Sequence, residues 1–188
     1  MEKILFVNAC VRSESRTLEL AKHLLGKLDG EVQELILDSE KIPALDGETL
    51  KKRDSLKNSD YSDPMFKYAK QFAAADTIII AAPYWDLMFP ALLKIYFEAI
   101  TVTGITFKYS PEGQPIGLCK AKRLIYLTTA GGPVFDELNL GYDYAKKLAT
   151  LFYGIPETVC FKAEGLDIYG ADIPAIITEA KNKIDSCF

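Results

Sequence analysis

Three short runs, Ile4–Asn8, Thr77–Ala82 and Arg123–Thr128, are apolar almost without interruption. A strand with one face in water alternates apolar and polar residues. A run that does not alternate has both faces covered, the condition of a central strand in a parallel sheet packed between helices. Two further strand-like runs, Val32–Leu37 and Glu157–Phe161, complete a set of five. Longer segments of helical periodicity separate them. Leu18, Leu20, Ala21, Leu24, Leu25 and Leu28 recur at helical spacing and stop before Gly30. Pro64–Ala75 follows Ser62 and Asp63, a helix cap with proline in the first turn. Leu92, Leu93, Ile95, Tyr96, Ala99 and Ile100 form a third apolar face, and Tyr142–Tyr153 and Pro174–Asp185 are the last two helices. This succession of β-α units predicts a doubly wound α/β fold: a five-stranded parallel sheet, order 2-1-3-4-5, with helices on both faces.

Two stretches stand outside the alternation. Asp38–Asp60 is long and charged and reads as a surface excursion. Gly104–Leu118, with Phe107, Tyr109 and the turn Pro111-Glu112-Gly113, reads as a small hairpin inserted after the third helix. A chain of 188 residues without an interdomain linker fits one domain, residues 1–188. With a net charge of −4 and no basic stripe, nothing points to nucleic acid or an anionic membrane. Cys10, Cys119, Cys160 and Cys187 lack CxxC spacing, so free thiols are expected rather than disulfides or zinc. The apolar run at the N-terminus is too short for a signal peptide and no stretch reaches membrane-span length, so a cytoplasmic location is expected.

In an open parallel sheet, ligands collect beyond the carboxyl ends of the strands, where strand order reverses. Three loops lie there. The first is Asn8-Ala9-Cys10-Val11-Arg12-Ser13-Glu14-Ser15-Arg16-Thr17. Its hydroxyls, with free amides at a helix start, suit a phosphate monoester; equally, Ser13 or Ser15 serves simply as an N-cap. It contains neither GxGxxG nor a P-loop. The second, Ala81–Pro90, places Tyr84 and Trp85 directly beyond a buried strand, either as a wall for a planar ring or as packing between strand and helix. The third, Thr128-Thr129-Ala130-Gly131-Gly132-Pro133, lets backbone approach a ligand closely or makes an ordinary turn. Each loop alone is ambiguous, and their common position is the stronger signal. His23, the single histidine, lies in mid-helix, which excludes a histidine triad or a multi-histidine metal site. Asp86, Glu112 and Asp136 have no acid/base spacing. That favours a bound cofactor carrying the chemistry, with no catalytic side chain and no metal.

Ala82-Pro83-Tyr84-Trp85, then Leu93–Glu98, then Thr103-Gly104-Ile105-Thr106-Phe107-Lys108-Tyr109 resemble the FMN-dependent NADH-azoreductases, also called FMN-dependent NADH:quinone oxidoreductases. Ile42–Gly47, Gly131-Gly132 and Ala163-Glu164-Gly165-Leu166 share the resemblance, which runs over essentially the whole chain. It implies a flavodoxin-like homodimer in which bound FMN passes electrons from NADH or NADPH to a quinone or azo compound by a ping-pong route. It assigns the phosphate to Cys10, Ser13, Glu14 and Ser15. The flavin ring goes to Pro83, Tyr84, Trp85, Asp86 and Leu87, and to Thr129, Ala130, Gly131 and Gly132. Tyr109 matches an aromatic of the substrate pocket. The family's second loop usually reads Met-Tyr-Asn-Phe and its third Ser-Arg-Gly-Gly, so this chain departs from both. An ionised Asp86 beside the flavin lowers its potential by repelling an anionic hydroquinone. A flavodoxin-type electron carrier, or a flavin-binding module without NAD(P)H turnover, is the alternative reading.

Overall fold

The computed structural model describes residues 1–56 and 61–188. The apolar runs form the middle of a five-stranded, all-parallel sheet. In chain order the strands are β1 (Lys3–Asn8), β2 (Glu31–Ile36), β3 (Thr77–Ala81), β4 (Phe107–Tyr109), β5 (Pro115–Gly117), β6 (Arg123–Thr129) and β7 (Glu157–Ala163). The sheet order is β2-β1-β3-β6-β7, while β4 and β5 pair separately as an antiparallel hairpin. The numbering therefore departs from the expected 2-1-3-4-5, because the inserted hairpin takes two places in the count. The chain leaves β1 toward β2 on one side and returns to β3 on the other, so the switch point lies between β1 and β3. Register is in phase there: Asn8 pairs with Ala81, and Ala81 with Leu127. The three loops consequently start at the same level.

The two faces carry separate cores. Helix α1 (Arg16–Leu25) and helix α7 (Ile173–Asp185) cover one, burying Leu20, Ala21, Leu24, Ile177, Ala180 and Ile184 against Ile4, Phe6, Ile79 and Ile125. The other is covered by α4 (Lys67–Ala74), α5 (Ala91–Ile100) and α6 (Leu140–Lys147), which bury Phe72, Tyr96, Phe97 and Ala145 against Leu5, Val7, Ile78 and Ile80. α1 ends at Leu25, five residues before Gly30: Gly26 caps it, and Leu28 reaches the same core from the turn. α6 runs on as a π-helical turn, Leu148–Tyr153, that buries Tyr153 and ends on Gly154 at φ 73°. This close approach sets the hairpin, because a Cβ on Gly117 would strike the backbone of Tyr153 and Gly154.

Two expectations are refined. The excursion Asp38–Asp60 contains a single helical turn, α2 (Leu37–Glu40), and a helix with no buried residue, α3 (Gly47–Leu56); its residues 57–60 lie outside the described ones. Pro64–Phe66 is 3-10 helix leading into α4, with the Asp63 carboxylate accepting from Met65 N–H at 2.9 Å. The four cysteines are free. Among the described residues, no helix is long and apolar enough to cross a membrane.

Candidate functional site

A cavity of 780 Å³ opens at the carboxyl ends of β1, β3 and β6. Its first wall is the loop after β1, from Val11 to Arg16, with the exposed face of α1's first two turns. Pro83, Tyr84 and Trp85 form the second, Thr129, Ala130 and Gly131 the third, and Leu166 and Asp167 after β7 complete the rim. Nine expected positions therefore meet in one space: Ser13, Glu14, Ser15, Pro83, Tyr84, Trp85, Thr129, Ala130 and Gly131.

The first wall suits an anion. Ser15 Oγ accepts from Leu18 N–H at 3.2 Å, so the N-cap reading is realised and Ser15 still borders the cavity. Among the described residues, the first-turn N–H groups of Arg16 and Thr17 meet no protein acceptor, and α1 presents them with the positive end of its dipole. Arg12 adds a cation. Glu14 can serve an anion through its backbone N–H alone, because a carboxylate repels phosphate. The loop is held from below by Asn8, which is buried: its Oδ1 accepts from Cys10 N–H at 3.0 Å and its Nδ2 donates to Glu34 at 2.9 Å. Arg16 reaches across to Leu166 O at 3.4 Å and Asp167 Oδ1 at 3.2 Å, closing the rim.

The second wall is a tight hairpin. Trp85 and Met88 exchange backbone bonds of 3.1 and 2.7 Å around Asp86 and Leu87, at φ 49° and 68°. Two successive positive φ values define a type I′ turn, which favours Asn or Gly and strains a leucine. The turn carries the side chains of Asp86 and Leu87 outward, leaving Tyr84 and Trp85 as the ring-sized surface.

The third wall is fixed by β7. Val134 is buried, and its peptide groups are pinched by a charge pair: Glu164 accepts its N–H at 2.6 Å and Lys162 Nζ donates to its C=O at 2.8 Å. Tyr84 Oη donates to Leu138 O at 2.9 Å, tying the second loop to the third. Gly131 leaves room for the Asp167 carboxylate, since a Cβ there would push that exposed side chain aside.

Five of the expected positions do not line this cavity: Cys10, Asp86, Leu87, Gly132 and Tyr109. Cys10 points its thiol beneath the loop toward Ala81 O, and burial pushes that thiol above the ordinary value, so it is not a ready nucleophile. Tyr109 is exposed on the hairpin, edge-on to Phe107 at 5.3 Å. Sequence reasoning placed the Thr17 hydroxyl in the first loop but not its bond to Thr129, and it missed the supports Asn8, Lys162, Glu164 and Asp167. Only Asn8, a polar residue ending an apolar run, carried a local signal. His23 is structural, 2.7 Å from Asp185 on α7. No group of three or more His, Cys, Asp or Glu suited to a metal occurs among the described residues.

Known proteins carry the same design. A family described as flavodoxin-like fold matches residues 2–187. An FMN-dependent NADH:quinone oxidoreductase of Coprothermobacter proteolyticus is 36% identical over 197 residues, spanning 98% of this chain and 97% of that protein. One from Lachnoclostridium phytofermentans is 37% identical over 192 residues, spanning 97% and 96%. Among solved structures, an azoreductase from Bacillus anthracis superposes with a TM-score of 0.86 at 26% identity, over 100% of this chain and 98% of that one. Full-length similarity to named relatives, on the predicted fold, shows that the chain belongs to the flavodoxin-like family of FMN-dependent NADH:quinone oxidoreductases.

Proposed function

We propose that this protein is an enzyme that binds FMN in the 780 Å³ cavity and passes electrons from NADH or NADPH to quinones or azo compounds. The observation that carries the reading is the meeting of an anion-ready helix start, an aromatic wall and a close-approach backbone loop in one space at the switch point. The residues fit the group. The open amides of Arg16 and Thr17, with Ser13 and Arg12, hold a phosphate. Tyr84 and Trp85 flank a flat ring, and the backbone of Thr129–Gly131 meets its polar edge. FMN, when bound, supplies the two-electron chemistry. The chain binds, orients and excludes water: Lys162, Glu164 and Tyr84 hold the third loop in place before any ligand arrives, which lowers the ordering cost of binding.

Both substrates are flat and need the same exposed ring face, which supports alternating, ping-pong use of one pocket. A homodimer is supported by the likeness to the family and would give cover to exposed apolar residues such as Leu87, Tyr109 and Phe135. Tyr109 does not line the cavity of its own chain, so its role as a substrate-pocket aromatic requires the second copy. Free thiols support a reducing, cytoplasmic setting. An absorption spectrum of the purified protein with FMN, followed by anaerobic NADH and then a quinone, tests the reading. Flavin bands that bleach with NADH and return with quinone are expected; protein that takes up no FMN refutes it.

A further inference from the structure

Thr17 closes the first loop, and its side chain is the most enclosed polar one along the cavity. It sits in the first turn of α1 and is fully buried. Its Oγ1 lies 2.7 Å from Thr129 Oγ1, across 112 residues of sequence. Thr129 is partly exposed and lines the cavity.

A hydroxyl has one proton to give, and in a pair only one member can donate to the other. The two directions are not equivalent here. If Thr129 donated, the Thr17 proton would be left in a dry interior, because among the described residues Thr17 Oγ1 has no second partner. An unpaired buried donor is the costly case. If Thr17 donates, its proton is satisfied, and Thr129 keeps its own proton free on the side that faces the cavity. We infer that Thr17 is a positioning residue: it donates to Thr129 Oγ1 and so fixes the Thr129 hydroxyl as a donor aimed into the cavity, toward an oxygen of the phosphate and ribityl chain. The same bond ties the start of α1 to the end of β6, so the anion cradle and the third loop are held at one spacing. The inference rests on the FMN reading of this cavity and gives Thr17, whose backbone N–H serves the phosphate, a separate role for its buried side chain, which acts through Thr129.

The test is a double-mutant cycle on FMN affinity, read by quenching of flavin fluorescence. Thr17→Val keeps shape and removes the donor; Thr129→Val removes the group it orients. Each single variant is expected to weaken FMN by about fivefold. The double variant is expected to be no weaker than Thr129→Val alone, within about twofold, since the Thr17 hydroxyl acts only through Thr129 and its backbone N–H is untouched by the substitution. A structural role for Thr17 gives additive losses, and that result overturns the inference. So does Thr17→Val with native affinity. If Thr17→Val does not fold, Thr17→Ser against Thr17→Ala isolates the hydroxyl, and equal FMN affinity in the two overturns the inference. Wild-type protein that binds no FMN overturns the cofactor reading and this inference together. Wild-type protein that binds FMN while the variants match it overturns the inference alone.

Discussion

Lys162→Met should loosen the third loop without unfolding the sheet. Lys162 Nζ donates to Val134 O at 2.8 Å and lies 3.6 Å from both Asp136 and Glu164, with 29% of its side chain exposed. A hydrogen bond from a charged donor contributes about 1.5–3 kcal/mol. The ion pairs add little: the Asp136 side chain is fully exposed and that of Glu164 is 38% exposed, so water screens both. Methionine keeps the packing of the lysine stem. Partial exposure discounts the hydrogen bond toward the middle of its range, leaving a loss of about 2 kcal/mol. Charged locally, that raises the open population of the loop about 30-fold. Spread over the whole fold, it would lower the melting temperature by about 4–8 °C. Amide hydrogen exchange separates the two. Exchange at Val134 and Asn139 should accelerate by about 30-fold while Ile79 and Ile125 at the sheet centre keep their rates. Loop amides changing by less than about threefold, or core amides accelerating equally, would refute the view that Lys162 acts on the loop.

Tyr84→Phe removes the donor to Leu138 O and keeps the ring; the quinone KM should rise about threefold with kcat nearly unchanged, as steady-state kinetics would show. Gly117→Ala puts a Cβ into the backbone of Tyr153 and Gly154 and should destabilise by more than about 3 kcal/mol, read in a urea melt. The turn strain at Leu87 gives an opposite sign: Leu87→Gly should gain up to about 1 kcal/mol, provided the turn is free of a partner chain, and a loss in the monomer refutes that account. Lys27 and then His23 hold the Asp185 carboxyl below its ordinary value. A depressed native pKa gives stability that is present above the unfolded value and lost as pH falls through the native one. Asp185→Asn should therefore melt below wild type at pH 7, with the gap closing below about pH 4.

The central strands were legible because a buried parallel strand must be apolar on both sides, and β1, β3 and β6 lie within a residue or two of their runs. The boundaries of α1 and the division of Pro64–Ala75 were not, since caps and 3-10 turns depend on where the chain packs next. The membership of the site was legible as loops but not as side chains. Asp86 and Leu87 sit beside Trp85 in sequence, yet a type I′ turn carries them outward. Cys10 falls in the phosphate loop, yet Asn8 holds the backbone so that its thiol points under it.

Sequence by itself determined the parallel sheet, its helical layers and the three loops at its carboxyl edge, because hydrophobic periodicity is a local property that each segment displays alone. Tertiary structure decided which residues face the cavity and what holds them there. Thr17 with Thr129, Arg16 with Asp167 and Lys162 with Val134 are pairs 112, 151 and 28 residues apart. The direction of a side chain at a strand end, and the partner that satisfies it, is fixed only when elements distant in sequence are packed and their buried polar groups must be paired.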